Sequence, residues 1–273
     1  MRWRVRFGYD GAGFHGWARQ PGHRTVEGEI LGGLAAAGMI PRSTTHLEVA
    51  SRTDRGVSAR ANALALRSRL DAPPLLRVLN GIAPDLYFTA AAPMPETARI
   101  RQALGRTYRY FEEPAGRDLA AYREAASLFR GTVDVRSLGR ALPRAAPVWR
   151  EIEGTSLREV DGAWEVQIDA PSFVWGMVRK VIAACREVAD GRLPLPRLRR
   201  ALEGRERLTL PIAEPDALVL WEVRYADPWT EVWGGPNRHQ SVALAAARGA
   251  SRAHAAVRSS WAEGIASPSG GLD

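Results

Sequence analysis

Apolar and polar residues alternate from the second residue onward. Trp3, Val5, Phe7 and Tyr9 fall on one face of residues 2–9, and Arg2, Arg4 and Arg6 on the other; that is the pattern of a half-buried strand. A polar, glycine-rich segment follows, Asp10 to Trp17, and a loop runs to Arg24. Thr25 is placed to cap a helix over residues 26–38, with Val26, Ile30 and Leu34 on one stripe, although Gly28, Gly32 and Gly33 weaken it. A short strand at 47–51 leads into Ser51–Ala59, and residues 62–68 alternate again. Pro73 and Pro74 open a helix carrying Leu75, Leu76, Leu79 and Ile82, and residues 86–92 read as a further strand.

The order is β-α-β-β-α-β, the split βαβ or ferredoxin-like unit. The second half repeats these elements in a looser order. Strands are expected over 106–112, 148–158, 163–170 and 218–225, and helices over 118–130 and 194–203. Ser172 is expected to open a helix that carries Val174, Met177, Val178, Val181, Ile182 and Cys185 and ends near Gly191. The fold expected is α+β, with two ferredoxin-like halves whose mixed or antiparallel sheets surround a central basic cleft. The boundaries expected are 1–104 for the half with the Ser51–Ala59 loop, 105–226 for the second half, and 227–273 for a C-terminal extension. Residues 240–262 are alanine-rich and expected to be helical, and the Ser/Gly/Pro tail from Ser267 to Asp273 is expected to be disordered. No sequence repeat links the halves.

Composition narrows the function. The 273 residues are 45% apolar and 25% charged, values of an ordinary globular protein. No run of about 18 apolar residues offers a membrane span, and the opening residues lack the apolar core of a signal peptide, so a cytoplasmic location is expected. One cysteine, Cys185, excludes an intramolecular disulfide and a cysteine-based metal cluster. The net charge is +8 and lies within residues 1–225, because residues 226–273 hold four arginines and four acids. Only one basic residue, Lys180, is a lysine. Arginine enrichment reflects either a GC-rich genome or recognition of phosphate and bases. A basic body points to a polyanion, nucleic acid before membrane, and the arginine face of residues 2–6 is a candidate contact.

The loop Ser51-Arg52-Thr53-Asp54-Arg55-Gly56-Val57-Ser58-Ala59 places a carboxylate between two guanidinium groups. A turn aspartate that bonds its own backbone is the plain reading; an ionised, positioned carboxylate can also serve as a nucleophile. Arg106–Phe111 interleaves arginine with aromatics, and Tyr108 and Tyr110 share a face as either core residues or a base-stacking platform. Arg179 interrupts an apolar helix start, as a snorkelling surface residue or as the partner of a buried carboxylate. The five histidines lie far apart with no metal-binding pair, no phosphate-binding glycine motif opens a helix, and no G-x-S-x-G elbow is present.

These segments together resemble the TruA-type tRNA pseudouridine synthases. Tyr9-Asp10-Gly11 with Phe14-His15-Gly16-Trp17 is similar to the family's first motif, and Arg24 to Glu29 to its first helix. Ser51–Ala59 resembles the catalytic loop G-R-T-D-x-G-V-H-A. Leu79 to Asp85 resembles L-N-x-x-L-P-x-D, Arg106 to Tyr110 matches R-x-Y-x-Y, and Phe173 to Arg179 matches F-x-x-x-M-V-R. The matches run in order over residues 9–179, with Ala217–Tyr225 as a weaker closing strand. Ser51 stands for the family's usual glycine and Ser58 for its histidine, and Arg99 to Gly105 fits loosely. The two serines resemble variants outside the bacterial branch, such as archaeal or otherwise divergent members.

The resemblance implies Asp54 as the catalytic aspartate. Arg52 would help extrude the uridine or fill the space it leaves, Tyr108 would stack on the target base, and Arg179 would pair with Asp54. It also implies no cofactor or metal, and a homodimer that converts uridines 38 to 40 of the tRNA anticodon stem-loop. A paired uridine has to leave its stack before reacting, and the sequence leaves open whether Asp54 attacks covalently or stabilises a glycal-like species. The competing reading is a non-catalytic RNA-binding protein built on ferredoxin-like domains. Asp54 argues against it, because an acid facing phosphate would repel the ligand. A stand-alone metabolic enzyme would leave the +8 charge unexplained.

Overall fold

The computed structural model describes residues 1–44, 46–83, 85–140, 148–160, 162–232 and 256. In chain order the elements begin with β1 (Arg2–Tyr9), α1 (Val26–Ala36), β2 (Glu48–Val49), β3 (Ser58–Arg67), α2 (Ala72–Asn80) and β4 (Leu86–Pro93). They continue with β5 (Gly105–Glu112), α3 (Leu119–Ser127), β6 (Gly131–Asp134), β7 (Trp149–Ile152), β8 (Gly154–Val160) and β9 (Ala163–Ala170). The last are α4 (Met177–Ala189), α5 (Leu195–Leu202), β10 (Leu218–Arg224) and β11 (Glu231–Val232). The chain divides into two compact units, residues 1–102 with the segment from 226 onward, and residues 103–225. Among the described residues no helix is long and apolar enough to cross a membrane.

In the first unit, β4, β1, β3 and β2 lie side by side in that order, all antiparallel. This is the β-α-β-β-α-β sequence of elements expected from the alternation. Thr25 caps α1, its hydroxyl accepting from the Gly28 amide at 3.3 Å. Ile30 and Leu34 of α1 and Leu75, Leu76 and Leu79 of α2 are fully buried, each contributing about 1.5–3 kcal/mol of apolar transfer. Phe7 packs against Tyr9, Trp17 and Phe88 with ring centroids 5.8–5.9 Å apart.

The opposite face of β1 departs from expectation. Arg2, Arg4 and Arg6 are only 7%, 5% and 3% exposed; they are not an open stripe for nucleic acid. Arg2 donates to both Glu48 carboxylate oxygens and to the carbonyls of Pro95, Glu96 and Ala98. Arg4 donates to the carbonyls of Asp227 and Pro228, and Arg6 to the Thr89 hydroxyl at 2.9 Å. Trp229 lies 4.5 Å from the Arg4 guanidinium and 5.3 Å from that of Arg6, and β11 then pairs with Ala90 and Ala91 of β4. Residues 226–232 thus cover the arginine face. The helix expected over 240–262 and the tail from Ser267 lie outside the described residues, apart from Ala256, which is helical.

The second unit has the sheet order β10-β5-β9-β8, again antiparallel. Its elements repeat the pattern of the first unit, with the β6–β7 pair inserted between α3 and β8 and α5 added before β10. Asp118 caps α3 by accepting from the Ala120 and Ala121 amides. Two expectations need correction here. The single strand over 148–158 is two strands with different partners: β7 pairs with β6, and β8 pairs with β9. The change falls at Glu153, whose amide donates to the Asp169 carbonyl. The helix expected from Ser172 begins at Met177, because Gly176 takes a left-handed conformation at φ 78° and ends the preceding loop there. The β6 strand was not anticipated.

Removing the indole that lies over Arg4 and Arg6 is expected to be costly. Trp229→Ala should lose about 1–2 kcal/mol, the range for a desolvated cation–π contact, and lower the thermal midpoint by several degrees. Trp229→Phe should recover part of the loss. An unchanged melting curve for Trp229→Ala would show that this cover is dispensable.

Candidate active site

Asp54 lies in the loop joining β2 to β3, and that loop is fixed by backbone rather than by packing alone. The glycine-rich segment after β1 runs along it. The Trp17 amide donates to the Thr53 carbonyl at 3.1 Å and the Gly56 amide to the Phe14 carbonyl at 3.4 Å. The Val57 amide donates to the Asp54 carbonyl at 3.2 Å, closing the turn. The buried Tyr9 and Thr53 hydroxyls bond at 2.8 Å, and the Asn62 side-chain amide donates to the Ser51 carbonyl at 2.8 Å. Ser58, where the family pattern has histidine, is fully buried and accepts from the Gly11 amide at 2.9 Å.

Two glycines make this close approach possible. A Cβ at Gly11 would sit 2.4 Å from the Val57 carbonyl carbon and 2.6 Å from the Gly56 oxygen. Gly16 has φ 88°, and a Cβ there would lie 3.0 Å from both the Arg55 nitrogen and the Thr53 oxygen. Asp10 caps the short 3-10 turn Gly11–Gly13 by accepting from the Ala12 amide. None of these supporting contacts was read from the sequence. The available signal was the spacing of Gly11, Gly13 and Gly16 in a short polar run.

Cationic and aromatic groups flank the loop. Arg24 pairs with Asp85 through two bonds of 2.8 and 3.1 Å and with Glu29 at 3.2 Å, and its guanidinium lies 4.4 Å from the Phe14 ring centroid. Asp85, a conspicuous loop acid, therefore anchors Arg24. His15 and His23 stack at 4.3 Å. Desolvation, the Arg55 guanidinium and the His23 ring push the His15 pKa below the ordinary histidine value.

Arg52 and Asp54 belong to the first unit, and Tyr108 and Arg179 to the second. Tyr108 on β5 is 9% exposed and meets Phe173 edge-on at 5.0 Å. Tyr110 shares its face but is 1% exposed. The Tyr110 hydroxyl accepts from Arg186 at 3.0 Å and donates to Glu214 at 3.3 Å, and burial pushes its pKa up. Arg186 also donates to both oxygens of buried Glu112 at 2.9 Å. Burial raises the Glu112 carboxyl against the opposing pull of Arg186 and Arg117. Tyr110 is thus part of a buried network, not of a stacking platform. Arg179, in the first turn of α4, donates from Nε to the Ala213 carbonyl at 2.6 Å. The sole lysine, Lys180, donates to the Ser137 and Gly139 carbonyls.

The close approach at Gly11 gives a direct test. Gly11→Ala should displace residues 56–57 and lower the thermal midpoint markedly, because backbone atoms cannot turn aside as a side-chain end can. Gly32→Ala on α1 meets nothing within 4 Å and should stabilise by about 0.5–1 kcal/mol through helix propensity. Equal melting temperatures for the two variants would contradict the contact.

Comparison with known proteins places this geometry in a family. A family model described as tRNA pseudouridine synthase matches residues 125–226. The tRNA pseudouridine synthase A of Thermococcus onnurineus is 39% identical over 231 residues, covering 82% of this chain and 85% of that one. The Thermococcus kodakarensis protein of the same name is 38% identical, with 82% and 85% covered. That of Methanothermobacter thermautotrophicus is 32% identical, with 81% and 80% covered. Among solved structures, a Cbf5–Nop10–Gar1 complex aligns at a TM-score of 0.33 and 12% identity, over 66% of this chain and 46% of that one, a distant likeness that adds nothing to the assignment. The family model falls almost wholly within the second unit, but alignments spanning four-fifths of the chain extend into the first, where the loop of Asp54 lies. The chain belongs to the tRNA pseudouridine synthase A family.

Proposed function

We propose that the chain isomerises uridine to pseudouridine in tRNA, with Asp54 as the reacting side chain. One observation carries the reading: in a chain of this family, a carboxylate flanked by Arg52 and Arg55 sits on a loop tied by backbone hydrogen bonds to the neighbouring glycine-rich segment. Such a loop holds a reacting group in a fixed position.

The reaction breaks the bond between sugar C1′ and uracil N1, turns the base, and joins C1′ to C5. The hydrogen on C5 leaves as a proton and N1 gains one, so substrate and product are isomers and no oxidant or energy source enters. The uridine first leaves its stack, at a cost of a few kcal/mol. On this reading Arg52 assists extrusion, Tyr108 stacks on the freed base, and Arg179 is the charge partner of Asp54. The substrate is the anticodon stem-loop, at uridines 38 to 40, and the enzyme works as a cytoplasmic homodimer. The 9% exposure left to Tyr108 and the Nε bond that fixes Arg179 are consistent with these roles.

Tritium release from tRNA labelled at uridine C5 measures the reaction directly. Asp54→Asn should fold normally and bind tRNA, yet lose turnover by about three orders of magnitude or more. Asp71→Asn, at the exposed start of α2 where no side-chain cap bond is made, serves as the control and should retain turnover. Substantial release by well-folded Asp54→Asn would refute the assignment. Wild-type protein that releases no tritium from any tRNA would favour the RNA-binding module instead.

The stacking role separates ring from hydroxyl. Tyr108→Phe should keep most activity, whereas Tyr108→Leu should lose the equivalent of about 1–3 kcal/mol, the worth of one base–aromatic stack. Equal losses in the two variants would assign the hydroxyl instead.

A further inference from the structure

We propose that a cavity in the first unit, beside the Asp54 loop, is a binding subsite for a phosphate ester, supplied by the backbone of the RNA strand that carries the target uridine. The proposal rests on the pseudouridine synthase reading for the identity of the strand, and on the cavity itself for the chemistry. The cavity encloses about 430 Å³ and is lined by Arg2, His46, Glu48, Arg52, Arg99 and Arg101, with Glu96 and Ile100 among its other walls. That volume falls in the range of small-ligand sites.

The two glutamates do not oppose an anion here, because each is engaged by an arginine. Glu48 takes both Nη2 bonds of Arg2 at 2.9 and 3.0 Å, and the Glu96 carboxylate is held by Arg67. Arg2 spends its other donors on the carbonyls of residues 95, 96 and 98 at 2.6–3.2 Å. It is therefore the frame that shapes the wall. The turn that follows is closed by the Gln102 amide donating to the Arg99 carbonyl at 2.9 Å and by the Arg99 amide donating to the Gln102 side chain at 3.3 Å. Ile100 is buried beneath this turn, while Arg99 and Arg101 on either side of it are exposed. Three guanidinium groups, Arg52, Arg99 and Arg101, and the His46 ring then line one concavity. Planar forks of this kind match phosphate oxygens in pairs.

Position assigns the source of the phosphate. Arg52 lies two residues before Asp54, and two residues of extended chain span at most about 7 Å, the scale of one nucleotide. A uridine whose sugar meets Asp54 brings its own or its neighbour's phosphate within reach of Arg52 and the cavity behind it. Arg52 would then act on the backbone of the strand, and Arg99 and Arg101 would hold that backbone while the base leaves its stack.

The test uses the full chain, tRNA labelled at uridine C5, and a series of KCl concentrations. Arg99→Gln/Arg101→Gln should raise KM about tenfold, lower kcat less than threefold, and make the slope of log(1/KM) against log[KCl] shallower by about one, the loss of one neutralised phosphate. Arg99→Lys/Arg101→Lys keeps the charge and should keep the wild-type slope. Unchanged KM and slope in the glutamine variant would overturn the proposal, as would equal losses in the lysine and glutamine variants, which would indicate a structural role. Calorimetric titration of inorganic phosphate and uridine 5′-monophosphate separates the sources. Micromolar binding that the glutamine variant abolishes without altering tRNA kinetics would assign the cavity to a free phosphate ester and overturn the RNA reading. If wild type releases no tritium yet its tRNA binding loses salt dependence in the glutamine variant, the cavity stands and the enzymatic reading falls.

Discussion

The backbone at Gly11 lies so close to that of Gly56 and Val57 that a methyl group would not fit between them, and the placement of Asp54 depends on this contact. Side-chain packing positions a loop through groups that can change rotamer. Two backbones joined by amide–carbonyl bonds have no such freedom, so the turn from Thr53 to Val57 has little room to move. The supports converge from both sides: Tyr9 at the end of β1 bonds to Thr53, and Ser58 at the start of β3 bonds to Gly11. Ser58 stands where the family's pattern has histidine. A short hydroxyl, fully buried, satisfies a backbone donor that would otherwise be orphaned in the interior.

Charge in this protein is divided between folding and surface. Burying three arginines on one strand requires that their donors meet acceptors, since an unpaired buried cation costs several kcal/mol. The acceptors for Arg2 and Arg4 are carbonyls of residues 95–98 and 227–228, the segments that lead into and out of the second unit in sequence. The alternating arginines of β1 thus fasten both ends of the chain's excursion to one strand. A net charge of +8 therefore overstates what is available to a polyanion. The subsite proposed above draws on Arg52, Arg99 and Arg101, which line the cavity.

The strands and helices with an uninterrupted period were legible in the sequence. β1, α1, α2, β4, β5 and β10 appear where alternation or helical spacing places them, because one buried face dictates the pattern. Most of the failures turn on a partner elsewhere in the chain, and one on a local backbone conformation. Only Glu153 separates β7 from β8, so the change of partner there reads in the sequence as one strand over 148–158. Val174 continues the apolar spacing of α4, but Gly176 stops the helix short of it. Arg2, Arg4 and Arg6 look solvent-facing until residues 226–232 cover them. The site followed the same rule. The motif order pointed to Asp54, while the hydrogen bonds that hold its loop come from separate stretches of chain and could not be read in advance.

Tyr108 and Tyr110 show how neighbours on one strand face can differ in what they are able to do. Their side chains point the same way from β5, two residues apart. Tyr110 is enclosed by Arg186, Glu112 and Glu214, and moving its ring would break bonds to a guanidinium that also neutralises a buried carboxylate. Tyr108 meets Phe173 in a T-shaped contact with ring centroids 5.0 Å apart, held by dispersion and quadrupole. What packs around each tyrosine therefore differs: Tyr110 ties β5 to α4 through Arg186, and Tyr108 packs against Phe173.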